Sequence, residues 1–464
     1  MAASVSGVLL RIKQDLNHSL PPWMIESACR QAGHRWRERV LGPVMTLHLF
    51  VLQVLHANTA IRHLPHLANV PLNAAAYCRA RMRLPLAALE QLLRSSVIAL
   101  RQELITAATA PDHLTRWRGR RTYLTDGSSS IVPDEPALRR CFGQPKGREV
   151  HCGFPVAKVL GLFDAMTGLL VEIKTFALFV QDHACVWLLH PLLEAGDVLV
   201  GDRGVCSYAQ LALLSERGAA ALFRVRERRQ IISFRPHRPA WQRSKSGGRC
   251  SKTQKGRPRS RFIRRLAFHD QLVAWLKPTP GSGPKWMSRT QFASLPDELP
   301  VREVRYRVDC GRGCRSREVT VVTTLLDAVE FPREAIAQLY GIRWQVETHW
   351  RELKTILRMR RLKCRTEAGV RKELAVYALV YNLVHAVMIK AANRQRTTPD
   401  RISFTDALRW LLSARPHQAL GDLLVNPWRP GRHEPRVIKD HSNGYARMKQ
   451  PRPVLRANLP AKWG

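Results

Sequence analysis

The spacing of apolar residues changes at Thr122, and this change limits the fold classes open to the chain. Before it, apolar residues recur every three or four positions in segments such as GPVMTLHLFVLQVL, as is typical of helices. After it, TYLTDGSSSIV, PVAKVLGLFDAMTGLLVEIKTFA and GDVLVGD have the pattern of strands, and QDHACVWLLHPLLEA is predicted to be helical. The order strand, strand, strand, helix, strand predicts an α/β fold in which helices pack on a mixed sheet.

The segment before Thr122 is predicted to be all-helical, and part of it is compatible with a helix-turn-helix. Two short helices would be joined at Ala68-Asn69-Val70-Pro71, and the second, capped by Asn73, carries Arg79 and Arg81. A basic helix of this kind can enter the major groove of DNA. An ordinary solvated face of a helical bundle explains the same residues equally well.

The chain carries a large excess of positive charge, with 75 Lys and Arg residues against 36 Asp and Glu and a formal net charge of +39. Such an excess is typical of proteins that bind nucleic acid. The apolar runs at 41–55 and 374–389 are too short or too interrupted to span a bilayer, and the N-terminus lacks signal-peptide features. We therefore expect a cytoplasmic protein that binds DNA and no membrane.

A basic segment interrupts the strand pattern after about residue 228. It has ten Lys or Arg residues between Arg243 and Arg265 and no acidic residue, which predicts a mobile loop. Arg257 and Arg259 in this loop are candidate DNA contacts. Further on, Cys310 and Cys314 favour a hairpin tip over a zinc site, because no second Cys/His pair stands at ligand spacing nearby.

Two aspartates follow predicted strands, Asp126 in YLTDGS and Asp202 in VLVGDRG. Carboxylates presented by neighbouring strand ends suit Mg²⁺, which prefers oxygen ligands. Taken singly, each aspartate is explained as well by a turn, where Asp is common.

The stretch YGIRWQVETHWRELK is predicted to lie within one helix from Pro332 to about Met359. At 100° per residue, a single stripe about 60° wide contains four polar residues: Tyr340, Arg343, Glu347 and Lys354. Ion pairs on a solvated helix face explain this spacing too. The neighbouring Trp344 and Trp350 are predicted to pack in the core.

Together these segments resemble the DDE transposases of bacterial insertion sequences that carry a Tyr-x2-Arg-x3-Glu-x6-Lys signature. Tyr340 to Lys354 has that spacing, TDGS resembles the first-aspartate motif and GDRG resembles the second. The resemblance covers roughly Thr122 to Val387. It implies an RNase H-like core, which is a mixed sheet with helices on both faces.

The resemblance also implies a division of the chain into five parts. These are a helical N-terminal DNA-binding domain (1–118), the first part of the core (119–228), a basic strand-containing insertion (229–318), the second part of the core (319–395), and a C-terminal helical region with a basic tail rich in Pro and Arg (396–464).

The implied chemistry is metal-dependent cleavage and strand transfer of DNA. Asp126, Asp202 and Glu347 would hold two divalent ions, Mg²⁺ or Mn²⁺ as its substitute, while Tyr340, Arg343 and Lys354 would grip DNA phosphates. The implied partners are double-stranded terminal inverted repeats and target DNA, bound by a homodimer in the nucleoid of a bacterial cytoplasm. Two alternatives stay open: a regulator that binds DNA without cutting it, and an RNase H-like nuclease without strand transfer.

Overall fold

The computed structural model describes most of the chain. The described residues are 20–37, 39–68, 71–106, 116–145, 153–225, 234, 260–278, 283–308, 317–413, 418–427 and 450–458. The predicted basic loop with Arg257 and Arg259, and the turn with Cys310 and Cys314, lie outside them.

Helices make up the regular structure described before Thr122, as the sequence predicts. They are α1 (Pro22–Gln31), α2 (Pro43–Leu55), α3 (Leu64–Ala68), α4 (Ala74–Arg83) and α5 (Leu86–Thr106). A proline opens α1 and α2, where its missing N–H costs no helical hydrogen bond. The Asn73 side chain accepts a hydrogen bond from the Ala76 amide at 3.0 Å, which confirms the predicted cap of α4.

A single nine-stranded sheet forms the centre of the described structure. Its strands are β1 (Thr122–Ile131), β2 (Val156–Asp164), β3 (Leu170–Ala177), β4 (Val198–Gly201), β5 (Ala220–Arg224), β6 (Ser260–Ala267), β7 (Asp270–Leu276), β8 (Glu298–Val308) and β9 (Arg317–Thr323). In space they follow the order β3-β2-β1-β4-β5-β9-β8-β7-β6.

The first five strands have the arrangement of an RNase H-like core. β1 pairs with β4 in parallel and β4 with β5 in parallel, whereas β2 is antiparallel to both β1 and β3. A parallel pair needs a crossover connection, and the chain between β1 and β4 supplies it through the β2-β3 hairpin and two 3₁₀ helices, Asp182–Ala184 and Val186–Leu192. The predicted mixed sheet is confirmed.

Helices cover both faces of this sheet because neighbouring residues of each strand point to opposite sides. On β4, Val198 and Val200 belong to one buried apolar cluster, and Leu199 between them belongs to another. The first cluster includes most of the buried apolar residues of the long helix α11 (Glu367–Arg394), and the second includes those of α7 (Tyr208–Glu216). α6 (Pro136–Phe142) lies between β1 and β2 in the chain.

The strands of the predicted insertion extend the core sheet. β9 pairs antiparallel with β5 on one side and with β8 on the other, and β7 and β6 follow. A short helix, α8 (Arg289–Ser294), stands between β7 and β8 and begins with a capping box in which Ser288 and Gln291 exchange hydrogen bonds.

After β9 the chain is helical, but the predicted single helix from Pro332 is interrupted. α9 (Arg333–Ile342) and α10 (Gln345–Arg351) are joined by a tight turn, and a π-helical turn (Glu352–Ile356) follows. In the tight turn the amides of Arg343 and Trp344 donate to carbonyls only three residues back. The prediction of one uniform helix was therefore wrong, since it assumed 100° per residue throughout.

The remaining helices are α11 (Glu367–Arg394), α12 (Phe404–Ser413) and α13 (Arg452–Ala457). Within the described residues, α11 alone is long and apolar enough to cross a membrane, yet 94% of its most apolar window is buried in the protein. Burial of this extent is typical of a core helix.

Polar contacts join the N-terminal helices to the rest of the protein. The buried Glu373 of α11 accepts hydrogen bonds from Asn58 Nδ2 at 2.6 Å and from the Cys364 amide at 2.8 Å. On α5, Arg94 pairs with Glu172 of β3 at 2.8 Å. The domain boundaries at 118, 228, 318 and 395 stay predictions.

Candidate functional site

Asp126 and Asp202 lie on adjacent parallel strands. β1 and β4 are in register up to the pair Thr125 and Gly201, so the two aspartates are the next residues on each chain. Asp202 follows the end of β4, as predicted. Asp126 does not end its strand, because β1 continues to Ile131 as the partner of β2, and this part of the prediction was wrong.

The environment of Asp126 favours a bound cation. Burial raises the pKa of this carboxyl to about 6, and the negative charges of Asp202 and Asp182 act in the same direction. The Gly127 amide, 2.9 Å from Asp126 Oδ1, and the charge of Arg343 oppose that rise only in part. A divalent cation at this position would remove the repulsion between carboxylates.

Asp182 is an acidic neighbour that the sequence patterns did not single out. Its Oδ1 pairs with Lys158 Nζ of β2 at 2.9 Å. It lies against Gly127, where a Cβ atom would be 2.7 Å from Asp182 Oδ2. The glycine of the TDGS motif thus lets a third carboxylate approach Asp126. No short sequence motif at 181–183 marks this aspartate.

Arg343 connects the aspartates to Glu347. It is buried, its charge lowers the pKa of Asp126, and its Nη2 lies 3.7 Å from Glu347 Oε1. The guanidinium carbon lies 5.8 Å from the centre of the Tyr340 ring and 5.0 Å from that of Trp344. The tight turn between α9 and α10 therefore holds the positive charge of Arg343 close to Asp126 and Glu347.

The two tryptophans near Glu347 differ in their exposure to solvent. Trp350 is buried and packs edge-on against Phe163, as predicted. Trp344 was predicted to pack in the core, but it is 57% exposed. The interruption of the helix turns this ring outward beside Arg343.

Tyr340 and Lys354 complete the predicted set. The Tyr340 hydroxyl donates to Asp202 Oδ1 at 3.4 Å, and burial raises the pKa of the phenol well above its usual range, so the proton stays in place. Lys354 is half-buried on the π-helical turn, where burial and then the charge of Arg360 lower its pKa. Lys354 and Arg360 are two positive charges held close together, and such a pair attracts an anion such as a phosphate.

The two arginines predicted on α4 have different surroundings. Arg79 is exposed. Arg81 donates to Gln53 Oε1 at 3.0 Å and to Cys364 Sγ at 2.7 Å, and it lies 3.8 Å from the centre of the Phe50 ring. The guanidinium group of Arg81 is thus occupied inside the protein. Of these two arginines, only Arg79 stays a predicted DNA contact.

The donor set fits a hard divalent cation. Asp126 and Asp202 offer oxygen ligands, and Glu347, on the other side of Arg343, offers a third carboxylate that is exposed and can turn. The basic side chains that balance these acids, Arg343 and Lys158, are held by contacts of their own.

Comparisons with known proteins point to one class. The family model described as a transposase DDE domain matches residues 117–383, which include β1 to β9 and all of the Tyr340–Lys354 stretch. The transposase InsG for insertion sequence element IS4 of Escherichia coli (strain K12) is 30% identical over 197 residues. That match covers 38% of this chain and 42% of the relative, so less than half of the relative's length is spanned.

Among solved structures, a cryo-EM structure of the piggyBac transposase synaptic complex with hairpin DNA aligns over 87% of this chain and 79% of that one. The identity is 10% and the TM-score is 0.39, a likeness too distant to transfer residue roles.

Proposed function

The chain belongs to the DDE transposase family, and from this premise we propose that it cuts DNA at the ends of an insertion sequence and joins those ends to new DNA. The observation that carries the proposal is the convergence of Asp126 and Asp202 on adjacent strands with Arg343, which pairs with Glu347. Such a grouping of carboxylates suits divalent cations, which prefer oxygen ligands.

In the proposed mechanism, Asp126, Asp202 and Glu347 would hold two Mg²⁺ ions, with Mn²⁺ as a substitute. Members of this family generally use divalent metals, which activate the attacking oxygen and stabilise the leaving one in phosphoryl transfer. The raised pKa of Asp126 supports this assignment, because bound cations stabilise the charged carboxylate that burial disfavours.

The basic side chains are proposed to position the DNA. The pair between Arg343 and Glu347 is long, at 3.7 Å, so Arg343 would be able to pair with a backbone phosphate when Glu347 serves as a metal ligand. Lys354 gains an anion between itself and Arg360, which offsets the repulsion that lowers its pKa. Tyr340 holds Asp202 in place, and the exposed Trp344 offers a ring on which an unpaired base can stack.

The proposed partners are double-stranded terminal inverted repeats and target DNA, and the proposed location is the nucleoid of a bacterial cytoplasm. Two ends must be held together for transposition, so we propose a homodimer on DNA. Outside the site, the proposed DNA contacts are the helical N-terminal domain, with Arg79 exposed on α4, and the basic segment with Arg257 and Arg259, which the sequence predicts to be a loop.

The test of this function uses DNA taken from the locus of the gene, with the element's ends intact, and an unrelated DNA of equal length. We expect Mg²⁺-dependent cleavage at the ends that leaves 3′-hydroxyl groups, followed by joined products when target DNA is added. Cleavage of both DNAs without joining would indicate the nuclease alternative. Binding to the ends without any cleavage would indicate the regulator.

Gly127→Ala tests the place of Asp182 in the site. The new methyl group pushes Asp182 away from Asp126, so we expect cleavage to fall about tenfold, which is about 1.4 kcal/mol in the barrier. The melting temperature should change little, since Gly127 lies on a strand and not in a turn. Ser128→Ala, one residue further along β1, is the control. If both variants cleave DNA at the same rate, Asp182 has no part in the site.

Salt dependence tests the electrostatic part of DNA binding. With a net charge of +39, we expect the logarithm of the binding constant to fall steeply with the logarithm of salt concentration, measured by filter binding. Arg79→Ala should reduce the slope by about 1, because one phosphate contact is lost. Arg81→Ala should leave the slope unchanged and lower the melting temperature. A flat salt curve, or the opposite order of the two variants, contradicts the assignment.

A further inference from the structure

A second group of ligand-type side chains lies buried behind the candidate site. His349 is near the end of α10, Glu352 begins the π-helical turn, and His385 comes from α11. Their exposed fractions are 2 to 6%. One ligand atom from each lies within 4.8 Å of one from each of the others.

In this His349–Glu352–His385 cluster, the distance between Glu352 and His385 is that of two ligands that share an ion. Glu352 Oε2 lies 3.6 Å from His349 Nδ1 and 3.5 Å from His385 Nε2. Both separations are longer than a hydrogen bond, which has a donor–acceptor distance of about 2.7–3.2 Å. Two ligands at about 2.0–2.2 Å from a tetrahedral Zn²⁺ are about 3.3–3.6 Å apart.

Four polar atoms of the cluster have no hydrogen-bond partner among the described residues, whereas His349 Nδ1 is bonded to the Tyr381 hydroxyl. The four atoms are Glu352 Oε2, His349 Nε2 and both ring nitrogens of His385. Within the same part of the chain, Glu352 forms no ion pair with an arginine or lysine. Burial of a carboxylate without a counter-charge costs several kcal/mol, and among the described residues the two histidines are the groups that lower the pKa of Glu352. A cation bound between the three side chains would supply the counter-charge directly.

The surroundings hold the two imidazole rings in place. The Tyr381 hydroxyl lies 2.8 Å from His349 Nδ1 and donates to the Gly168 carbonyl at 3.1 Å. Gly168 has a positive φ of 73°, and a Cβ there would lie 2.8 Å from His385 Cε1 and 3.2 Å from His349 Cε1. The β2-β3 turn thus fits closely over both rings because it has no side chain at this point.

We propose that His349, Glu352 and His385 bind one Zn²⁺ ion. Two imidazoles and a carboxylate in a buried, closed setting suit zinc, and a His and a Glu three residues apart project from one face of a helix. The ion ties α10 and the π-helical turn to α11. Glu347 precedes His349 by two residues and Lys354 follows Glu352 by two, so the zinc would fix the segment that carries both.

The test measures zinc in the full-length protein with the candidate active site disabled by Asp126→Ala and Glu347→Ala. After dialysis against a weak chelator, mass spectrometry of the metals should find about one zinc per chain. Adding His385→Phe to this background should remove it. His48→Phe is the matched control, because His48 is also a buried histidine but lies on α2, outside the cluster, and it should keep the zinc.

A second measurement does not depend on the folding of the His385→Phe variant: Zn²⁺ added to the chelator-stripped double variant should raise its melting temperature. Co²⁺ in its place should give a visible absorption that His385→Phe removes. Lack of zinc together with an unchanged melting temperature overturns the proposal. So does zinc that survives His385→Phe, or zinc found only when Asp126 and Glu347 are intact. Because DNA cleavage plays no part, these results are independent of the proposed function.

Discussion

Glu347→Gln is expected to abolish DNA cleavage while leaving DNA binding in place. The amide keeps the shape of the side chain but loses the negative charge that a metal ligand needs, so we expect a loss of at least about 10³-fold, or about 4 kcal/mol in the barrier. Stability should change by less than about 1 kcal/mol, because Glu347 is half exposed and its pair with Arg343 is long. The measurement is single-turnover cleavage of end DNA with Mg²⁺.

Glu334→Gln is the matched control for this experiment. Glu334 is an exposed glutamate in the first turn of the preceding helix, α9. The same change of charge there should leave the cleavage rate within about twofold of that of the unmodified protein. Glu334 is a surface residue outside the acidic cluster of Asp126, Asp182, Asp202 and Glu347. A Glu347→Gln protein that still cuts at the original rate would exclude Glu347 from the metal site. Loss of binding together with cleavage would assign it to DNA recognition instead.

The acidic cluster could be predicted in part because its members follow short sequence signals. Asp126 and Asp202 each come after an apolar run, and parallel strands bring such positions together whatever the loops between them do. Predicting Glu347 required both the residue spacing from Tyr340 to Lys354 and the resemblance to the family. Asp182 had no such signal, since only the folded β1-β2 pair and the 3₁₀ helix bring it to Gly127.

Details of side-chain direction could not be predicted from the spacing of residues. The 100° rule failed at the tight turn after α9, and with it failed the prediction that Trp344 packs in the core. Arg81 looked like a surface cation because its helix is basic. Its contact with Cys364 joins residues 283 apart in the chain, a pairing that only the tertiary structure reveals.

The strands β6 to β8 also show how a segment that looks inserted in sequence can belong to the core. Arg302 of β8 and Asp270 of β7 form a buried ion pair with Nε to Oδ1 at 2.8 Å, and their side chains are 1 to 2% exposed. Arg302 Nη1 also donates to the Phe331 carbonyl at 2.6 Å. Phe331 lies just before α9, the helix that carries Tyr340. The Arg302–Asp270 ion pair therefore helps to fix the segment that leads into this helix.

Asp270→Asn is therefore expected to destabilise the protein by about 3–5 kcal/mol, because it leaves the buried guanidinium of Arg302 without its counter-charge. The free energy of unfolding by denaturant measures the loss. Asp270→Leu combined with Arg302→Met should be less destabilised than Asp270→Asn, since replacing both charges leaves neither unpaired. Glu298→Gln, which breaks the exposed Arg261–Glu298 pair on β6 and β8, should have no measurable effect. If Asp270→Asn unfolds at the same midpoint as Glu298→Gln, the buried pair does not hold these strands to the core.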